Sequence, residues 1–196
     1  MKKFIIPIIA LCFIIIFTCI ILSINTTKEI TSEYEIKTIK QDSNLDILVN
    51  LGDFSKDNYS ERKLLDVAML YAENLDLVNE TNNESIYLQY VSKDDVHNLI
   101  YELTGITIEA PIEIDDFYYL YDSENSYYYF LGASPTYYKV SNIKNIKRNG
   151  NTFDINCSIE KIVDGELIIE DNVSIILNYI SENSIIKYRV EEIKIN

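Results

Sequence analysis

Twenty-one consecutive residues, Phe4 to Ile24, carry no charge and almost no polarity. As a helix rising about 1.5 Å per residue, they would reach roughly 31 Å, the thickness of a bilayer's hydrocarbon core. Pro7 falls in the first turn, where a missing backbone donor costs little. Lys2 and Lys3 precede the run and predict a cytoplasmic amino terminus, with residues 25–196 outside. A cleaved leader would be shorter and would end in small residues, whereas Leu22-Ser23-Ile24-Asn25 has no small-x-small pattern. Lipidation would need a small residue before the modified cysteine, but Cys12 follows Leu11 and Cys19 follows Thr18. The expectation is a single-pass cell-membrane anchor over residues 1–24, a stalk over 25–43 and an extracytoplasmic domain over 44–196.

The whole chain has a formal net charge of −14. Without Lys2 and Lys3, the seventeen basic residues fall to fifteen against thirty-one acids, so the outer part carries −16. Such a surface argues against nucleic acid, which needs clustered Lys and Arg, and against anionic headgroups. It fits solubility, a divalent cation or a basic protein partner. Only Cys157 lies outside the apolar run, so the outer domain is held without an internal disulfide. Abundant Ile, Asn, Lys and Tyr with no Trp is the bias of an A/T-rich genome, and with the missing disulfides it points to a Gram-positive bacterium of the clostridial kind.

Residues 25–42 are polar and lack helical periodicity, with Tyr34–Ile39 as a short strand at most. Asn44 to Leu51 predicts one or two helical turns stopped at Gly52. Leu64, Ala68, Tyr71 and Leu75 repeat at helical spacing and predict a helix from Ser60 to Val78. Ser85–Val91 reads as a short strand. Ser92 and Asp95 then form a capping-box variant, Val91 and Val96 a hydrophobic staple, and Gly105 the stop of a second helix. After Ile106 the period becomes that of strands. Phe117–Tyr121 and Tyr127–Leu131 flank Asp122-Ser-Glu-Asn-Ser126 as a hairpin. Asn149-Gly150 predicts a type I′ turn, and Asp164-Gly165 a further hairpin. In the last strand, Ile186, Tyr188 and Val190 change parity with Ile193 and Ile195, which predicts a β-bulge at Glu191-Glu192. Helices followed by a curled antiparallel meander define an α+β fold.

This order, with the stretch Val91–Gly105 followed by Tyr127-Tyr-Tyr-Phe and Tyr138-Lys-Val140, resembles uncharacterised exported proteins of clostridia and the cystatin-like and NTF2-like architectures. The resemblance implies two helices packed on a curled meander. It carries no catalytic residue, cofactor or metal with it, since such folds bind, inhibit or catalyse.

Nucleophilic catalysis has no motif: Gly-x-Ser-x-Gly is absent, and Cys157 sits on the apolar face of an alternating strand. His97, the single histidine, lies off the apolar stripe of its helix and reads as a solvent-exposed side chain. The loop at Asp122 departs from a calcium loop, having Tyr127 where Gly belongs and Ala133 where Glu belongs. Acids also gather at Glu113, Asp115 and Asp116, where weak calcium binding is one reading and solvated turns the other. The unusual feature is the crowding of Tyr118, Tyr119, Tyr121, Tyr127, Tyr128, Tyr129, Tyr137 and Tyr138 into one region. Successive strand residues face opposite ways, so some rings are core and the rest form an aromatic strip suited to sugars or protein. Two functions follow. One is a non-enzymatic binding or inhibitory module of the cell envelope, meeting a basic protein or cell-wall glycan. The other is a ligand-binding or hydrolytic pocket between helices and sheet, where two or more of His97, Glu109, Glu113, Asp115 and Tyr128 would converge.

Overall fold

A computed structural model describes residues 27–81, 88–113, 118–130, 136–163 and 165–196. The apolar run 4–24 lies outside them, and among the described residues no helix is long and apolar enough to cross a membrane. In chain order the elements are β1 (Lys28–Ile30), α1 (Glu33–Asp42), α2 (Leu45–Leu48), a 3-10 turn (Val49–Leu51), β2 (Phe54–Ser55), α3 (Glu61–Asn74), β3 (Asn79–Glu80), β4 (Gln89–Ser92) and α4 (Lys93–Thr104). Six strands follow: β5 (Tyr119–Asp122), β6 (Tyr127–Phe130), β7 (Thr136–Asn149), β8 (Thr152–Val163), β9 (Glu166–Tyr179) and β10 (Tyr188–Ile195). The α+β class is the observed one.

The strands form two sheets, where the sequence reading expected one. Six lie in the order β1-β7-β8-β9-β10-β2 and four in the order β3-β4-β6-β5, with neighbours antiparallel. The β5–β6 hairpin is only four residues deep, and β6 takes β4 as its second partner, leaving the long meander to β7–β10. One apolar core joins everything: Leu45, Leu48, Leu64, Leu65, Ile100 and Leu103 from the helices meet Ile146, Ile155, Ile159 and Ile175 from the large sheet.

The stretch read as a stalk contains β1, paired to β7, and the helix α1. Two apolar residues, Ile36 and Ile39, are too few to show a period, yet Ile30 and Ile39 are buried in the core and Ser32 caps the helix by accepting from the Glu35 N–H. Helix α3 ends at Asn74, short of Val78. The Leu77 N–H bonds back to the Ala72 carbonyl (2.9 Å) and that of Asp76 to Glu73 (3.3 Å), a Schellman stop built on Asp76 at φ +54°. No glycine announces it. At α4 the expected cap is present. Ser92 Oγ accepts from the Asp95 N–H (3.1 Å) and donates to Asp95 Oδ2 (2.5 Å), while Val91 and Val96 are both buried. Ser92 is also the last residue of β4, so strand runs into helix without a loop. At the other end, Gly105 takes φ +75° and Arg189 donates to the Glu102 carbonyl.

The bulge at Glu191 is as expected: Val190 pairs with Leu177 and Glu192 with Ile176, so Val190 and Ile193 both point inward. Strand β7 holds two more, at Ser141 and Lys144, and the three-residue spacing Val140, Ile143, Ile146 calls for them. Each extra residue resets the pleat, so all three side chains meet the core. The β7–β8 turn is shifted by one from the expected Asn149-Gly150. Asn149 pairs with Thr152, and the loop is Gly150-Asn151 with only Gly150 at positive φ, the II′ pattern. The β8–β9 hairpin closes at Val163 and Glu166; Asp164 lies outside the described residues.

The outer edge of β7 is closed by side chains beyond its pairing with β1. Asn50 Oδ1 accepts from the Tyr138 N–H (2.8 Å) and its Nδ2 donates to the Tyr138 carbonyl (3.0 Å), as a neighbouring strand would. Asp46 accepts from the Val140 N–H (2.8 Å), and Lys40 donates to the Val140 carbonyl (2.9 Å) while pairing with Asp46. Asn50→Ala removes both surrogate partners of Tyr138 and should cost about 1–3 kcal/mol in a urea unfolding titration; an unchanged midpoint would show that water replaces them. Asp76→Gly should raise the same midpoint, by about 0.5–1 kcal/mol, because glycine enters the left-handed region without strain.

Candidate functional site

The small sheet sorts the tyrosines by the pleat. Across β4, β6 and β5 the registers are Val91–Tyr128–Tyr121 and Gln89–Phe130–Tyr119 on one face, and Tyr90–Tyr129–Leu120 and Ser92–Tyr127–Asp122 on the other. The first face is internal. Tyr128 is fully buried, Tyr119 is buried, and Tyr121 and Phe130 pack against the core. The Tyr128 hydroxyl accepts from the Ile112 N–H (2.7 Å) and stands 3.5 Å from His97 Nε2. Burial pushes its phenol up to about 12. The Tyr119 hydroxyl donates to Asp66 (2.9 Å), which also holds Arg62 (3.2 Å), and the Arg62 guanidinium lies 4.6 Å over the Tyr119 ring and 5.4 Å over that of Tyr118.

The second face is external. Tyr90 and Tyr127 approach to 4.7 Å between ring centroids with a tilt of 38°, and Tyr90 and Tyr129 to 5.5 Å with a tilt of 43°. Leu120 beside them is 54% exposed. Asp122 closes the hairpin at this end: its carboxylate accepts from the Asn125 side chain (2.7 Å) and from the N–H groups of Glu124 and Asn125. Those bonds, the Asn125 side chain first, hold its carboxyl below the usual range. The Tyr129 phenol is raised, by desolvation and then by the nearby charge of Asp122. The Lys93 N–H donates to the Ser126 carbonyl (2.9 Å), which brings the start of α4 and the exposed Asp94 to the same end.

Of the eight expected tyrosines, then, Tyr127 and Tyr129 share the outer face, each half-buried. Tyr119, Tyr121 and Tyr128 line the interior, and Tyr118 lies beneath Arg62. Tyr137, which is exposed, and Tyr138 lie on β7 beside a hollow of about 560 Å³ that Tyr119, Lys63, Leu70, Glu73 and Phe130 also line. Half-buried Tyr90 and exposed Leu120 complete the outer face and were missed. Tyr90 lies 37 residues before Tyr127, and only the β4–β6 pairing brings them together.

His97 is half-buried rather than solvent-exposed, because β6 places Tyr128 against it. Burial and the charge of Lys93 lower its pKa, opposed by Asp94 and a backbone bond at Ile108. Of the five groups that would converge in a cleft, His97 and Tyr128 meet, while Glu109 and Glu113 are exposed and Asp115 lies outside the described residues. Cys157 is buried on the inner face of β8, where desolvation pushes its thiol up to about 11. Among the described residues no three His, Cys, Asp or Glu side chains gather to hold a metal; Asp116 also lies outside them. Comparison with known protein families, curated proteins and solved structures finds no match.

The His97 environment sets a pH dependence. Its folded pKa is below the ordinary 6.5, so the unfolded chain takes up the proton first. The contribution is full above pH 6.5 and is lost as pH falls through the folded pKa. His97→Gln should therefore lose less stability than the wild type between pH 7.5 and pH 5, read as urea midpoints; parallel losses would place the imidazole in solvent.

Proposed function

We propose that this chain is a non-catalytic binding or inhibitory module of a clostridial-type cell envelope. Residues 4–24 anchor it in the membrane with the amino terminus inside, and the outer face of the small sheet meets the partner. The observation that carries the reading is the outer set of half-buried Tyr90, Tyr127 and Tyr129 beside the exposed Leu120, three tilted rings and an aliphatic side chain on one side of a sheet whose other side is core. Aromatic side chains of this kind give large contact area at low entropic cost and dominate interfaces. The sequential meander β7–β10, with helices packed against β7 and β10, supports the finer reading as a cystatin-like or NTF2-like build.

A second reading rests on the hollow beside Tyr137 and Tyr138. Its mixture of Lys63, Glu73, Leu70 and Phe130 suits a small amphipathic ligand. The two separate in one experiment. Envelope extract is passed over immobilised full-length chain, wild type or carrying Tyr90→Ser, Tyr127→Ser and Tyr129→Ser together. Loss of a captured protein or glycan in the triple variant supports the sheet face. Retention in the triple variant with loss in Leu70→Arg moves the function to the hollow. For the placement, protease added to intact wall-stripped cells should digest the carboxyl-terminal domain; full protection would contradict it.

A further inference from the structure

We propose that the occupant of the tyrosine face is an extended basic segment of a protein, whose Arg and Lys side chains lie over the rings of Tyr90, Tyr127 and Tyr129 and pair with Asp122, Glu124 and Asp94. This rests on the reading of that face as the binding surface and adds the chemistry of the partner. Three observations select a cation.

The first is the shape of the face. Rings tilted by 38° and 43° to their neighbours offer no shared flat platform, whereas a pyranose stacks best on one flat ring. A cationic side chain needs only the negative face of one ring. The second is the charge around it. Asp122 and Glu124 lie in the β5–β6 hairpin, next to Tyr127 in register, and the Ser126–Lys93 backbone bond brings Asp94 alongside. Asp94 is 86% exposed, and the Asn125 amide keeps Asp122 ionised. Lys93, the adjacent cation, is turned toward Asp94 at 3.9 Å. On a chain of net charge −14, this end of the sheet would steer a basic segment inward and repel an acidic one. The third is internal precedent. Elsewhere the same chain lays Arg62 over Tyr119 at 4.6 Å and Arg189 over Tyr101 at 5.1 Å, so its tyrosines already hold guanidinium groups in this geometry.

The test uses the full chain in detergent, with fluorescein-labelled hexa-arginine as probe and chitohexaose as its neutral glycan counterpart. Fluorescence anisotropy should show saturable hexa-arginine binding that weakens between about 50 and 300 mM salt. Tyr90→Ser, Tyr127→Ser and Tyr129→Ser together should weaken it at least about tenfold. The matching triple Phe variant keeps the rings, guards against a folding defect, and should stay within about twofold of wild type. Asp122→Asn with Glu124→Gln should weaken binding about threefold and flatten its salt dependence. Equal binding by wild type and the Ser variant would overturn the proposal, since general charge attraction would then suffice. Chitohexaose binding that needs the three rings, without ring-dependent hexa-arginine binding, would also overturn it while leaving the sheet face as the binding surface. If neither probe depends on the rings and the envelope capture is unchanged in the triple variant, both readings fall.

Discussion

One buried phenol fixes the direction of the tyrosines around it. Tyr128 lies at the centre of β6 with no exposed surface, and its hydroxyl meets the Ile112 N–H that would otherwise be buried without a partner. A slip of β6 by one residue would expose this ring, strand that N–H, and drive Tyr127 or Tyr129 into the core. The Asp122–Tyr127 closure of the hairpin and the Val91–Tyr128 pairing with β4 hold the same register from both sides. Because β4 continues directly into α4, the helix cap at Ser92 ties that register to the helical layer as well. The exposed face is a consequence of what is buried behind it.

The large sheet supplies the rigid background. Its meander has four long strands whose inward side chains join the helices in one core; a fourth register shift lies between β8 and β9, and the bulges in β7 and β10 correct places where the sequence breaks alternation. Ser141, Lys144 and Glu191 are the residues inserted in β7 and β10. Where β7 would present an open edge, Asn50, Asp46 and Lys40 take the place of a strand. This protects the edge against pairing with another chain and fixes the 3-10 segment to the sheet.

What could be read from the residues was whatever depends on short-range pattern. The Ser92 cap, the Val91–Val96 staple, the Gly105 stop and the Glu191 bulge follow from local spacing and are present as read. Features set by distant partners were not legible. Helix α1 has too little apolar character to show itself and is held by its burial against the core; α3 stops on Asp76, whose positive φ has no glycine to signal it. The II′ turn at Gly150-Asn151 differs from the expected turn because β7 and β8 pair through Asn149 and Thr152, one residue on from the register that Asn149-Gly150 would close. For the site, the alternation of a triple tyrosine said that rings must point both ways without saying which. Partnering by β4 decided it, and brought in Tyr90.

The binding face exists only if Tyr127 and Tyr129 face outward while Tyr128 faces in, and this can be measured directly. Brief nitration of the native full-length chain, followed by fragment mass spectrometry, reports each ring separately. Fast modification of Tyr90, Tyr127 and Tyr129 with Tyr128 and Tyr119 protected is the expected result. Modification of Tyr128 at the rate of its neighbours, or protection of all three outer rings, would contradict it.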